Sequence, residues 1–239
     1  MKEENDGDPM GEHLHRFTVK FSPTESKKYN ITCNRPRTVL KAIKSTQTYN
    51  MRMEMEMCAD ENIVIQLGKE DKASIVATHF PCTCIRDGES LIISRKSDIV
   101  EAAKAKLYKP IQSRDKYSVF YIDTEGGENT KTKRLFRNNA VKQFRYLCVY
   151  GKKGMSVEEA LKRDGRFIDD LGDFKLSDSK NPSRTFENTE KVDTLDRKKL
   201  KLCLPRKKKT KGQPADQQAN QYTSQSSPAA WYTFNCNLC

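Results

Sequence analysis

The sequence predicts an α+β protein made of two small domains in tandem, followed by a disordered basic tail. Three observations carry this. Short alternations of apolar and polar residues, the period of half-buried strands, recur from Arg16 to Leu204. They fall in the same order twice: two strands, a helix, then further strandlike runs. After Leu204 the alternation stops, and Gln213 to Ala230 is rich in Gln, Asn, Ser and Ala.

Residues 1–13 are polar and read as disordered. In Arg16–Phe21, Phe17, Val19 and Phe21 alternate with polar residues. Ser22–Ser26 is a turn cluster, and Tyr29, Ile31 and Cys33 share one face of the next run. The pair predicts a hairpin. Asn34 is placed to cap a helix carrying Val39, Leu40 and Ile43. From Asn50 to Cys58, Met51, Met53, Met55 and Met57 alternate with Arg52, Glu54 and Glu56, which predicts a strand whose Met face packs on a core. Ile63–Ile65 and Ser90–Ser94 are further strands, the second entered through the turn Arg86–Glu89. Strand, strand, helix and further strands is the order of a ubiquitin-like (β-grasp) domain, assigned to residues 14–95.

Residues 96–115 read as a charged linker, in which Ile99, Ala102, Ala103 and Leu107 suggest a short helix. The pattern restarts with Tyr117–Ile122, the turn Glu125–Glu128 and the strand Phe144–Tyr150. Ser156 and Glu159 have capping-box spacing, so a helix begins there with Val157, Ala160 and Leu161 on its buried stripe. Gly165 ends it, and Leu200–Leu204 closes the domain. A second ubiquitin-like domain is thus assigned to 116–204, and a disordered basic tail to 205–239.

The chain has 239 residues and a net charge of +12, from 44 Lys+Arg against 32 Asp+Glu. That balance favours acidic partners, nucleic acid first. Lys131, Lys133, Arg134, Arg137, Lys142 and Arg145, interleaved with Phe136, Phe144 and Tyr146, are the candidate nucleic-acid-binding residues. The cations are read as facing outward and the aromatics inward. Arg206, Lys207, Lys208, Lys209 and Lys211, preceded by Arg197, Lys198, Lys199 and Lys201, read as a nuclear import signal or a phosphate-binding patch. No apolar run reaches the roughly 18 residues that span a bilayer, so no membrane partner is expected. The acidic N-terminus does not resemble a secretory or transit signal, which predicts an intracellular protein with its eight cysteines reduced.

Catalysis is not expected. There are three histidines: His13 and His15 fall in or beside the polar start, and His79 falls in a loop. No Gly-x-Ser-x-Gly elbow and no phosphate-cradling Gly-rich loop occurs. Cys82-Thr83-Cys84 and Cys236-x-x-Cys239 lack the further paired ligands a structural zinc needs, so neither metal nor cofactor is expected.

Arg145-Tyr-Leu-Cys-Val-Tyr150, Gly154, Val157–Ala160 and Lys162-Arg-Asp-Gly-Arg-Phe167 together resemble the second ubiquitin-like domain of the "family with sequence similarity 111" trypsin-like serine proteases. His79-Phe-Pro-Cys-Thr-Cys84 and Asp87-Gly-Glu-Ser-Leu-Ile-Ile93 are similar to the end of that family's first ubiquitin-like domain. The resemblance spans about Leu14 to Leu204. It implies a nuclear protein, with cytoplasm as a second location, linked to DNA replication and antiviral defence. The implied partners are single-stranded DNA or chromatin, replication-associated proteins and, optionally, a second copy in a homodimer. The family's protease domain should follow near residue 204, and this chain carries no Gly-Asp-Ser-Gly-Gly there. The expectation is therefore a non-catalytic regulatory and targeting region. The alternative is a protein-interaction adaptor using a β-grasp sheet face.

Overall fold

The computed structural model describes residues 14–53, 59–68, 74–96, 99–101 and 110–206. All of these belong to one compact unit that ends at Arg206. The chain opens with a hairpin of β1 (His15–Lys20) and β2 (Tyr29–Cys33), which buries Phe17, Val19, Ile31 and Cys33 on one face. Helix α1 (Val39–Lys44) follows. Its N-cap is Thr38, whose hydroxyl accepts from the Lys41 amide at 3.2 Å, and not Asn34 as the sequence suggested. Pro36 explains the shift: Arg35 precedes a proline and is steered away from the helical region, so no helix can start at Asn34. Asn34 Oδ1 accepts from Arg37 Nη2 instead.

The methionine strand is also corrected. Residues Gln47–Met53 form helix α2, and Met51 is 66% exposed. Gln, Met and Arg are good helix formers, and the Thr46 hydroxyl accepts from the Tyr49 amide to start the turn. Local propensity and a cap outweighed the period-two pattern. Met55 and Met57 lie outside the described residues, as do Ala102, Ala103 and Leu107 of the suggested linker helix.

Strands β3 (Ile63–Leu67), β4 (Ser74–Val76) and β5 (Ser90–Arg95) complete the first half. The second half contains β6 (Tyr117–Asp123), β7 (Tyr146–Lys152), α3 (Val157–Asp164), β8 (Lys175–Asp178), β9 (Thr185–Glu187) and β10 (Lys199–Cys203). Helix α3 carries the expected capping box between Ser156 and Glu159, and Gly165 ends it in the left-handed conformation at φ 81°. Strands β4, β8 and β9 are only three or four residues long, too short for alternation to reveal them.

The strands form one ten-stranded mixed sheet in the order β2-β1-β5-β3-β4-β7-β6-β10-β8-β9. Numbered within its own half, each half runs second, first, fifth, third, fourth. Each has a parallel central pair, β1 with β5 and β6 with β10. The halves join through parallel pairing of β4 and β7, with Ile75 opposite Leu147 and Val76 opposite Cys148. Paired residues share a face. One face gathers Val76, Val119, Cys148 and Tyr150 with the hairpin and α1. The other gathers Val64, Ile75, Phe120, Ile122, Leu147 and Val149 with α3. The two helices therefore cover opposite faces of one sheet.

Arg166 seals the junction. It is 1% exposed, and its Nε and Nη2 reach the two carboxylate oxygens of Asp164, both at 2.6 Å. Nη1 donates to the Ile75 carbonyl and Nη2 to that of Cys148, both at 2.8 Å, so one guanidinium holds β4 and β7. His79 lies beside it, with Nε2 3.0 Å from the Asp164 carbonyl and Nδ1 3.0 Å from the Tyr150 hydroxyl. A carbonyl only accepts, so Nε2 carries the proton, and Nδ1 of the neutral ring accepts from Tyr150. Burial pushes the His79 pKa down, which keeps the ring neutral. Glu101 is also buried there and accepts from the Thr78 amide and hydroxyl. Burial raises its carboxyl to about 7.

Two outcomes follow. Replacing Arg166 with Met should cost about 3–5 kcal/mol, because Asp164 is left charged and buried; urea unfolding would show it, and a loss under 1 kcal/mol would refute the clamp. The second concerns Glu101, whose folded pKa lies above its ordinary 4.5, so its ionisation opposes folding. Its stabilising share is complete at low pH and declines as pH rises through that window toward about 7. Relative to Glu101→Gln, the native protein should lose stability between pH 4.5 and pH 7; parallel stability–pH curves would contradict this.

Candidate functional site

Because α3 covers the other face, the second half presents a sheet face that no α-helix of its own covers among the described residues. A cleft of about 520 Å³ opens where this face meets the first half. Its floor includes Val119, Tyr121, Tyr146 and Cys148, and its rim carries Arg86, Arg114, Arg145, Arg197 and Lys199 against one acid, Glu89. Strand register builds this arrangement. Lys199 lies opposite Tyr121 on the β10–β6 pair, and Tyr121 opposite Cys148 on the β6–β7 pair. Residues two apart along β7 share a face, which adds Tyr146.

Tyr146 is half-buried and its ring meets two cations, with Lys199 Nζ at 4.8 Å and the Arg145 guanidinium at 5.5 Å from its centre. Tyr121 meets it edge-on at 6.3 Å. Burial pushes the Tyr121 phenol up to about 12, so it stays a neutral hydrogen-bonding group. Arg145 also pairs with the fully buried carboxylate of Asp123 at 3.2 Å. Arg114 binds Asp196 at 2.8 Å. Burial works against the Asp196 charge, but the Val119 amide and Arg114 outweigh it and lower the pKa. Arg197 sits at φ 61°, a strained conformation for a residue with a side chain, and its amide donates to the Val119 carbonyl. Its side chain is 78% exposed.

The residues suggested by sequence separate into groups. Arg145 stands at the cleft. Lys131 is exposed beside a second cleft of about 470 Å³, which Lys175 and Lys201 also line. Lys142 is exposed on a 3-10 turn, Asn139–Gln143. Lys133, Arg134 and Arg137 are used structurally: Lys133 donates to the Leu171 carbonyl, Arg134 to those of Phe136 and Arg137, and Arg137 pairs with Asp169. Phe136 and Phe144 are buried, facing inward as expected, whereas Tyr146, also expected to face inward, is only half-buried and lines the cleft. Arg206 is exposed, while Lys207, Lys208, Lys209 and Lys211 lie outside the described residues. Sequence reasoning missed Arg86, Arg114 and Tyr121. Lys199 and Lys201 could have been placed, since they alternate with the buried Leu200 and Leu202.

His79 is a buried structural residue. Cys33, Cys82, Cys84, Cys148 and Cys203 are free thiols, and burial pushes Cys84 up to about 12. Among the described residues, no group of three or more His, Cys, Asp or Glu could hold a metal ion, and no helix is long and apolar enough to cross a membrane.

The rim cations should differ in what they hold. Arg145→Gln should lose about 1–3 kcal/mol, since the buried Asp123 carboxylate then lacks its ion pair. Lys199→Gln and Arg86→Gln should stay within about 0.5 kcal/mol. Chemical denaturation of the three variants would check this.

The chain is similar to mouse (Mus musculus) "Serine protease FAM111A", 26% identical over 184 residues, which covers 75% of this chain and 29% of the mouse protein. It is also similar to human (Homo sapiens) "Serine protease FAM111B", 34% identical over 62 residues, covering 26% of this chain and 8% of the human protein. The chain thus spans less than a third of the length of these relatives. The model of the FAM111 N-terminal domain matches residues 11–203, the same residues that build the sheet, its junction and the cleft, and the chain belongs to the FAM111 family.

Proposed function

We propose that this chain is a non-catalytic targeting region of the FAM111 family: two ubiquitin-like (β-grasp) modules fused edge to edge that bind single-stranded DNA or chromatin in the nucleus. The observation that carries the reading is the cleft, where Arg145 and Lys199 pack on the half-buried Tyr146 and Arg86 and Arg197 line the same cleft. A partly exposed ring in a sheet-lined cleft can stack a base whatever its identity, and cations around it can neutralise the flanking phosphates. The +12 net charge agrees in sign. The shared strand order of the halves supports the tandem ubiquitin-like assignment. The match to a family's N-terminal domain supports a targeting role rather than proteolysis. In this reading the 205–239 tail adds nuclear import, and replication-associated proteins and antiviral defence follow from the family alone.

The adaptor reading loses the start of its Met51–Met57 strand, since Gln47–Met53 is helical, while Met55 and Met57 lie outside the described residues. A protein docking on the open face is its surviving form, and salt separates the two.

The test is titration of a labelled oligothymidylate with the full chain across a salt series. Affinity should fall linearly on a log–log plot, and Lys199→Gln and Arg86→Gln should each lower the slope by about 0.7. Tyr146→Ala should weaken binding about 5- to 100-fold through lost stacking. Binding that ignores these variants but vanishes in a chain ending at Arg206 would place the nucleic acid on the tail and sink the cleft.

A further inference from the structure

The cleft and the chain's first residues are joined by register. Arg16 N donates to Asp87 Oδ1 at 2.9 Å, Gly88 N donates to the Arg16 carbonyl at 2.8 Å, and His15 Nδ1 lies 3.7 Å from Asp87. Arg86 precedes Asp87 and Glu89 lies two residues after it, both on the cleft rim. The sheet register places the start of β1, the start of β5, the end of β3 and the starts of β4 and β7 at one end of the sheet. Leu67, Ser74, Arg145 and Tyr146 of the cleft sit at that same end. The chain therefore enters β1 beside the basic cleft.

What lies upstream is opposite in charge. Residues 1–13, outside the described residues, carry Glu3, Glu4, Asp6, Asp8 and Glu12 with Lys2 as their sole Lys or Arg. From β1 to β7 is four strand spacings, about 19 Å. Thirteen extended residues reach up to about 45 Å, so the tether suffices. A tethered segment this close acts at an effective concentration in the millimolar range, enough for a weak polyanion to occupy a basic cleft.

We propose that the acidic segment 1–13 folds back onto the cleft at Arg86, Arg197 and Lys199 and competes there, in cis, with the phosphates of nucleic acid. The device is autoinhibitory: it lowers affinity for weak polyanionic ligands and yields to longer strands that gain more phosphate contacts. The competition rests on the nucleic-acid reading, whereas the docking rests on charge and tether alone.

The experiment compares the full chain with its Glu3→Gln/Glu4→Gln/Asp6→Asn/Asp8→Asn/Glu12→Gln variant by amide NMR and by oligothymidylate titration. The amides of Arg86, Glu89, Tyr146 and Lys199 should shift between the two, and the difference should shrink in high salt. The variant should bind the oligonucleotide about three- to tenfold tighter, because the competent fraction of clefts rises. That gain should be lost when Arg86→Gln and Lys199→Gln are added; a gain that persists there reflects net charge and overturns the proposal. Unshifted cleft amides overturn it as well, and so do shifted amides with unchanged affinity. Shifted amides in a chain that binds no oligonucleotide in either form would support the docking and remove the nucleic-acid reading instead.

Discussion

The pairing of Arg166 with Asp164 is the interaction on which the architecture depends. Strand β4 is three residues long, and a parallel ladder of that length cannot by itself hold two halves of a sheet together. The guanidinium supplies the missing hold. It spends two N–H donors on a carboxylate two residues away and two more on backbone carbonyls of β4 and β7. A buried arginine is costly unless it is paired and hydrogen-bonded, and here it is paired with Asp164 and four of its five N–H donors reach acceptors. His79 and Tyr150 close the same network from the side, which joins a loop of the first half to the end of α3.

The clamp also settles which faces are open. With β4 and β7 in parallel register, side-chain alternation runs unbroken across the junction, and α1 and α3 are left on opposite faces. The second half then cannot bury Tyr146, Lys199 and Lys201 beneath a helix of its own. The first half supplies a wall for that face through Leu67, Phe80, Ile85 and Arg86, which converts a flat sheet into a cleft. Further along the sheet the backbone is drawn close: Gly127 N donates to the Leu202 carbonyl, and a Cβ at Gly127 would lie 2.4 Å from Cys203 Sγ. Glycine is what allows the 125–128 turn to lie against β10.

Charge and structure divide the basic residues into two kinds. Lys133, Arg134 and Arg137 tie one loop to neighbouring carbonyls and to Asp169, so their donors are committed to the fold. Arg86, Arg197 and Lys199 line the cleft, with Arg197 Nε 3.8 Å from Asp196 Oδ2 at the rim. Arg145 does both, since it packs on Tyr146 while compensating the buried Asp123. A count of Lys and Arg cannot tell these kinds apart, because the distinction lies in which acceptors the fold brings within reach.

By itself the sequence determined what is local. Alternation in Phe17–Val19 and Ile31–Cys33 specifies a hairpin, the Ser156–Glu159 box starts α3, Gly165 ends it, and apolar periodicity places β3, β5, β6, β7 and β10 with errors of a residue or two. Such features depend on neighbours within a few positions, so spacing reveals them. The methionine run deceived because a period-two pattern carries no force without a partner strand, and helix propensity with the Thr46 cap then prevailed. Only the tertiary structure decided the parallel joining of the halves, the burial of Arg166 and His79, and the cleft. Arg86, Arg114, Arg145 and Lys199 come from four separate parts of the chain, and their convergence depends on long-range strand register, which no local spacing encodes.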